Sequence, residues 1–203
     1  CGVALLAAPF VVDRCTLSII LLALLGTYLG QAWNILMGYC GLLSLGLVLE
    51  EMGRTLAASP LVSSSLGAAT ALMLGGSAAQ KERYLAPIAA GELVATLATD
   101  EGPHHAPERI AAKAKRTDAG YTLSGTKTLV AEGMAAGLFV VAARMSGKAG
   151  STDGISLFLV PSDTKGVKRA ALQTMDSRGH AQVTFKAVKL GTSALPFLKQ
   201  YSR

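Results

Sequence analysis

The segment from Gly120 to Arg144 constrains the fold of this 203-residue chain more than any other part of its sequence. Apolar and polar side chains alternate along it, and glycines interrupt the alternation at positions 125, 133 and 137. Alternation with a period of two is typical of strands with one buried face, and the glycines are typical of short turns. The segment therefore predicts short strands over residues 120–124 and 126–131, a glycine turn, and a third strand over residues 138–144.

The same alternation continues on both sides of this segment. Further strands are predicted over residues 93–99, 110–116, 154–160, 166–172 and 181–190, with turn residues between them. Many short strands at this spacing are typical of an antiparallel barrel or sandwich. We therefore predict a β domain over residues 92–191.

The part of the chain before Gly91 has helical periodicity instead. Apolar residues recur every three or four positions between Leu42 and Leu56, with charged residues on the opposite face. Two more helices are predicted, one over residues 61–74 and one over residues 77–85 that ends before Pro87. The chain is therefore predicted to be α+β, with an all-α helical domain over residues 1–91, the β domain, and the start of a further region over residues 192–203.

No charged residue lies between Arg14 and Glu50. Within this part, the run from Thr16 to Ile35 is as long as the roughly 20 apolar residues that cross a bilayer. Three interpretations stay open: a membrane-spanning or signal-like segment, a buried helical hairpin, and a segment whose sequence is not the native one for this fold. Polar residues inside the run weaken the membrane interpretation.

Composition and motifs exclude several classes of function. The 19 basic residues are scattered, Lys127 and Arg144 among them, which favours solvated strand faces over a nucleic-acid surface. Three cysteines without CxxC spacing argue against a zinc or disulfide framework and favour a reducing, cytoplasmic setting. The sequence contains no dinucleotide-binding, P-loop or serine-nucleophile motif.

Two pairs of polar residues between positions 100 and 105 are candidates for a chemical site. The pair His104 and His105 is not expected to bind a metal, because neighbours on an extended chain point to opposite faces. Asp100 and Glu101 fit a solvated turn better than an acid–base pair.

Four stretches together resemble the acyl-CoA dehydrogenase family. They are LVLEEMGRTLAASP (47–60), QKERYLAPIAAGELVATLATDEG (80–102), GYTLSGTKTLVAEG (120–133) and DSRGHAQVTFKAVKL (176–190). The resemblance implies an N-terminal helical domain followed by a small antiparallel β-barrel domain. The C-terminal four-helix bundle of the family is expected to be missing, and with it the catalytic carboxylate, so no catalytic residue is assigned here.

The resemblance also implies an FAD site. Thr99 falls on the threonine of a family motif whose hydroxyl and backbone face the isoalloxazine ring. Gly102 falls where the backbone passes close to the bound ligands. Leu129, Val130 and Ala131 fall on a Trp-Ile-Thr pattern that stacks on the ring and contacts its N5 atom, so Leu129 lacks the aromatic ring and Ala131 the hydroxyl.

The implied activity is α,β-dehydrogenation of an acyl-CoA thioester. Leu97 and His105 fall on positions expected beside the acyl group. The implied partners are the acyl-CoA substrate, an electron-transfer acceptor protein and further copies or relatives in a homo- or hetero-oligomer. The departures at Leu129 and Ala131 keep a second interpretation open, a non-catalytic subunit that scaffolds a mixed oligomer. A third interpretation, which rests on the apolar run Thr16 to Ile35, is a membrane-tethered binding module.

Overall fold

The computed structural model describes residues 45–148, 150–151, 153–176 and 178–191. The chain divides into two compact units, Cys1–Ala57 and Ala58–Arg203. In the first unit a helix, α1, covers residues 45–54, within the predicted amphipathic helix. The interpretations of Thr16 to Ile35, and the region predicted over residues 192–203, lie outside the described residues. Within the described ranges, no helix is long and apolar enough to cross a membrane.

Three helical segments open the second unit: α2, Leu61–Ala68, with π-helical bonding; α3, Ala69–Gly75; and α4, Ala78–Ala89. Helix α4 begins with a reciprocal capping box between Ser77 and Gln80. The expectation that it ends before Pro87 is wrong. The helix continues because the amide of Ala90 still donates to the carbonyl of Ala86, 2.9 Å away, and its last residue, Ala89, lies two positions before Gly91, whose φ is +75°.

Seven strands of the second unit form one sheet. Their bounds are β1, Ala95–Ala98; β2, Lys113–Thr117; β3, Gly120–Val130; β4, Leu138–Arg144; β5, Ile155–Pro161; β6, Val167–Ala171; and β7, Ala181–Leu190. The order is β1-β4-β2-β3-β7-β6, and β5 pairs with β4. Most pairs are antiparallel, but β4 runs parallel to β1 and to β2. The predicted class, helices followed by a mainly antiparallel barrel-like sheet, is confirmed, and the described strands form an open half-barrel.

Strand β3 corrects the prediction of two short strands separated at Gly125. It is one strand of 11 residues, with register shifts against β7 on both sides of Lys127. Gly125 does not turn the chain. It lets β3 pass Ala112 closely, since a Cβ at this position would collide with the side chain of Ala112.

Strand β4 is buried on both faces and lies between two apolar clusters. Phe139 and Val141 belong to one cluster, in which Phe139 packs edge-on against Phe185 at 6.3 Å between ring centroids. Leu138 and Val140 face the other cluster, which also contains residues of α2, α3 and α4. Strand β1 pairs with β4, so the segment that follows β1 begins beside a fully buried strand.

Candidate functional site

Two segments that are distant in sequence lie side by side at one end of β1 and β3. The amide of Thr128 donates to the carbonyl of Asp100 at 2.9 Å. The ammonium group of Lys127 donates to the carbonyl of Thr99, also at 2.9 Å. The structure therefore brings together residues 99–102 and 129–131, which carry the cofactor positions expected from the sequence. We call these two segments the ligand wall.

The second segment of the ligand wall has an unusual backbone. Leu129 has a φ of +50°, and its side chain is 45% exposed. Val130 is buried in the sheet core, so a ligand at the wall would meet its main chain and not its side chain. The carbonyl of Ala131 accepts a hydrogen bond from the hydroxyl of Thr96 at 2.7 Å. The pairing of β3 with β7 shifts register between Lys127 and Val130. Within this shift the side chain of Leu129 faces outwards and that of Val130 faces the core.

A buried ion pair lies behind the first segment of the wall. Lys127 is fully buried, and its Nζ atom lies 2.6 Å from Oε1 of Glu101. The Glu101 carboxylate also accepts hydrogen bonds from the amides of Ala111 and Ala112, at 2.8 and 2.9 Å. Burial lowers the pKa of Lys127, while the hydrogen bond and charge of Glu101 act in the opposite direction.

Both partners of this pair correct expectations from the sequence. Lys127 does not lie on a solvated strand face, and Glu101 does not belong to a solvated turn. The alternation of the strand could have predicted the burial of Lys127. Side chains two positions apart share a face, and Lys127 shares the buried face with Tyr121 and Leu123. The positive charge of Lys127 concealed that pattern.

A cavity of about 400 Å³ opens next to the first wall segment. Its lining residues are Glu101, Gly102, Pro103, His104, Ala106, Arg109 and Ile110. A Cβ built on Gly102 would have no atom within 4 Å, so open space lies beside this backbone. The cavity therefore reaches one of the positions expected to pass close to a ligand.

The two residues expected beside the acyl group lie in different surroundings. His105 is exposed, and its Nδ1 atom lies 2.8 Å from a carboxylate oxygen of Asp100. Leu97 lies on the helix-covered side of the sheet, where its side chain would be 3.3 Å from a Cβ at Gly67. The structure thus keeps His105 close to the first wall segment and packs Leu97 against α2. Among the described residues, no group of His, Cys, Asp or Glu could hold a metal ion.

A second buried cation, Arg144, supports the cavity-lining segment and also corrects the expectation of a solvated basic residue. Its guanidinium group donates to four main-chain carbonyls over 2.8 to 3.1 Å. Those carbonyls belong to Glu108, Ile110, Ser151 and Asp153. Arg144 therefore joins the cavity-lining segment to the turn after β4.

These features fit one wall of a site for a large planar cofactor. The wall offers an exposed apolar side chain, main-chain groups at Thr99 and Gly102, and an adjoining cavity. It offers no hydroxyl at position 131, where the expected pattern has one. The exposed Leu129 side chain and the main chain of the wall are therefore compatible with the flavin that the resemblance implies, with one polar contact fewer.

Comparisons with known proteins agree with this geometry. Residues 95–188 match the family model for the acyl-CoA dehydrogenase middle domain, and residues 24–92 match that for the N-terminal domain. A probable acyl-CoA dehydrogenase of Mycobacterium tuberculosis, FadE10, is 39% identical over 105 residues, 51% of this chain and 16% of the relative. The chain spans no more than 36% of curated relatives such as FadE10 and the M. tuberculosis acyl-CoA dehydrogenase FadE27.

Two solved structures share the fold. The ChsE4-ChsE5 complex from M. tuberculosis is 28% identical with a TM-score of 0.62, over 72% of this chain and 38% of the solved one. A glutaryl-CoA dehydrogenase from Mycobacterium smegmatis in complex with FADH2 is 26% identical with a TM-score of 0.60, over 66% and 35% of the two chains. Each structural match covers about two thirds or more of this chain but less than two fifths of the solved chain.

Proposed function

This chain belongs to the acyl-CoA dehydrogenase family, and from that membership we propose that it contributes to an FAD-dependent oxidoreductase that dehydrogenates acyl-CoA thioesters between the α and β carbons. The observation that carries the proposal is the ligand wall. Residues 99–102 and 129–131 are far apart in sequence, and they meet where the resemblance to the family expects a flavin. The similarity to a dehydrogenase in complex with FADH2 supports the choice of cofactor.

The residues of the wall would hold and orient the cofactor. When bound, the flavin accepts the β hydrogen of the substrate as hydride. The exposed side chain of Leu129 would cover part of the ring, and the main chain at Thr99 and Gly102 would line its edge. Ala131 leaves one hydrogen bond unmade, and a lost hydrogen bond to a buried polar group costs about 1–3 kcal/mol. We therefore expect weak binding of FAD.

The substrate side of the site is also a proposal. Leu97 and His105 are assigned to the acyl-CoA side, and an electron-transfer acceptor protein is the proposed redox partner. We assign no described residue as the base that removes the α proton. Because the resemblance implies that the base lies in the C-terminal bundle of the family, residues 1–203 alone are expected not to turn over acyl-CoA, and a homo- or hetero-oligomer is the proposed assembly. Turnover by the purified chain, measured with an electron acceptor, would contradict this expectation.

The absorption spectrum of the purified chain with added FAD tests the proposal. On titration with FAD, we expect saturable shifts in the near-ultraviolet and blue bands of the oxidised flavin. The Ala131→Thr variant should restore the missing hydroxyl and raise the affinity for FAD about tenfold, which corresponds to about 1.4 kcal/mol. Ala135→Thr, at an exposed position in the following turn, is the matched control and should leave the affinity unchanged. If neither the chain nor Ala131→Thr binds flavin, the proposal is wrong.

A second candidate function is a non-catalytic subunit in a mixed oligomer. The absence of the aromatic ring at Leu129 and of the hydroxyl at Ala131 favours it. The similar structure from M. tuberculosis is a ChsE4-ChsE5 complex, which supports assembly between different chains. Flavin that co-purifies with a partner chain but never with this chain would favour this second function over the first.

A further inference from the structure

We propose that the buried ion pair of Lys127 and Glu101 is a positioning device of the ligand wall, which orders the main chain from Thr99 to Gly102 before a cofactor binds. The inference rests on the proposed function for the identity of the ligand. The ordering of the segment, however, does not need a ligand and can be measured without one.

The contacts of the pair tie three parts of the chain together. Lys127, on β3, donates both to the carbonyl of Thr99 and to the carboxylate of Glu101. Glu101 in turn accepts from the amides of Ala111 and Ala112, just before β2. Five polar groups from β3, the wall and the segment just before β2 are thus satisfied by one another, and the Lys127 ammonium among them is fully buried. A displacement of Glu101 or of Thr99 would leave this buried ammonium with a partner missing.

Stability alone does not account for such an arrangement. Lys127 is fully buried, and the Glu101 side chain is 19% exposed, so both charges lose much of their hydration. Desolvation of a buried ion pair can cancel its electrostatic attraction, and apolar replacements of similar volume are often as stable. An apolar pair could fill the same space, but it could not hold the Thr99 carbonyl in one direction. We therefore assign the pair to the geometry of the wall.

The position of Lys127 on β3 strengthens this assignment. Leu129 and Ala131 of the second wall segment follow it closely along the chain, and Thr99 of the first segment is its hydrogen-bond partner. The neighbouring bond, from the Thr128 amide to the Asp100 carbonyl, joins the same two segments. These two hydrogen bonds fix the distance between the two wall segments next to the ion pair. A planar ligand bound at the wall would need that distance to stay constant.

The test compares Lys127→Met, Glu101→Gln and the double variant that carries both changes. Each single variant leaves a buried charge without its partner, and each should be less stable than the wild-type chain. The double variant removes both charges, and the side-chain amide introduced at position 101 keeps one oxygen, which can accept from the amide of residue 111 or of residue 112. Its stability should therefore recover most of what Lys127→Met loses. Glu108→Gln is the matched control, since within the described ranges the Glu108 side chain makes only an exposed ion pair with Arg109.

Two measurements then separate positioning from stability. Amide hydrogen exchange of Thr128, whose amide donates to the Asp100 carbonyl of the wall, should without cofactor be at least tenfold faster in the double variant than in the wild type. The dissociation constant for FAD should rise at least tenfold in the double variant, although its stability has recovered. Glu108→Gln should change neither quantity.

Every outcome of these measurements either supports the positioning role or overturns it. If exchange and FAD affinity return to wild-type values together with stability, the pair has only a structural role and the inference is wrong. If the wild-type chain binds no FAD, the proposed function fails, and the exchange measurement still decides the inference. Faster exchange of the Thr128 amide in a stable double variant then supports positioning, and unchanged exchange overturns it.

Discussion

The hydroxyl of Thr96 donates a hydrogen bond to the main-chain carbonyl of Ala131, and the two oxygen atoms are 2.7 Å apart. The two residues are separated by 35 positions in the sequence. Thr96 is 1% exposed, so water does not easily replace it as the donor. The bond joins β1 to the end of the ligand wall. A threonine that was not among the expected site residues thus helps to define the geometry of the site.

Replacement of Thr96 by valine should destabilise the chain by about 1–3 kcal/mol, because the Ala131 carbonyl loses its donor while the shape of the side chain is kept. The measurement is the free energy of unfolding from urea denaturation. Thr122→Val is the control, since the half-buried Thr122 makes no side-chain hydrogen bond within the described part of the chain. Equal stabilities of the two variants would contradict the role of this bond.

The left-handed backbone of Leu129 predicts an unusual preference for glycine. At a φ of +50°, a residue with a Cβ is strained by roughly 1–2 kcal/mol, and glycine is not. Leu129→Gly should therefore be about 1 kcal/mol more stable than Leu129→Ala, although both lose the same exposed side chain. At the exposed strand position Thr126, the order should be reversed, with alanine more stable than glycine. Thermal unfolding of the four variants checks both orders.

Loss of Arg144 is expected to cost far more stability than loss of an exposed arginine. Arg144 is 6% exposed and donates to four carbonyls, so Arg144→Met leaves several buried acceptors without a donor. We expect a loss of at least about 3 kcal/mol. Arg116→Met, on the exposed face of β2, should change the free energy of unfolding by less than about 0.5 kcal/mol. Similar losses in both variants would show that burial of the guanidinium group is not the cause.

The lowered pKa of Lys127 predicts how stability depends on alkaline pH. The ordinary lysine pKa is 10.5, and burial lowers the pKa in the folded chain. Between that lowered pKa and 10.5, the unfolded chain binds more protons than the folded chain, so the free energy of unfolding should rise with pH through this window. Lys127→Met should lack this rise. Denaturant unfolding of both proteins over the window checks the sign, and a fall in the wild type relative to the variant would contradict it.

Much of the fold could be predicted from sequence patterns. The helical segments before Gly91 and the strands after it were expected close to their observed positions, because periods of 3.6 and two depend on neighbouring residues. The predictions at Pro87 and Gly125 were wrong for the same reason, since each residue was interpreted as a local break. Helix α4 instead continues through hydrogen bonds beyond Pro87, and Gly125 allows a close approach to Ala112.

In the candidate site too, some features could be predicted from the sequence and others depend on contacts between distant residues. Resemblance to a family implied roles for Thr99, Gly102 and residues 129–131, which stay predictions, and the structure brings the two segments together. The structure also shows three supporting residues that the sequence did not identify: Thr96, Lys127 and Glu101. Their importance depends on partners far away in the chain, which no local pattern contains.

The sequence by itself determined the type of each element and the family, since both follow from the order of residues along the chain. Only the tertiary structure decided that β1 and β2 lie along the same strand, β4, and that the charge of Lys127 is buried. The physical reason is that a buried charge is tolerated only where a distant partner compensates for its lost hydration. For Lys127 that partner is Glu101, 26 residues away in the sequence and 2.6 Å away in the fold.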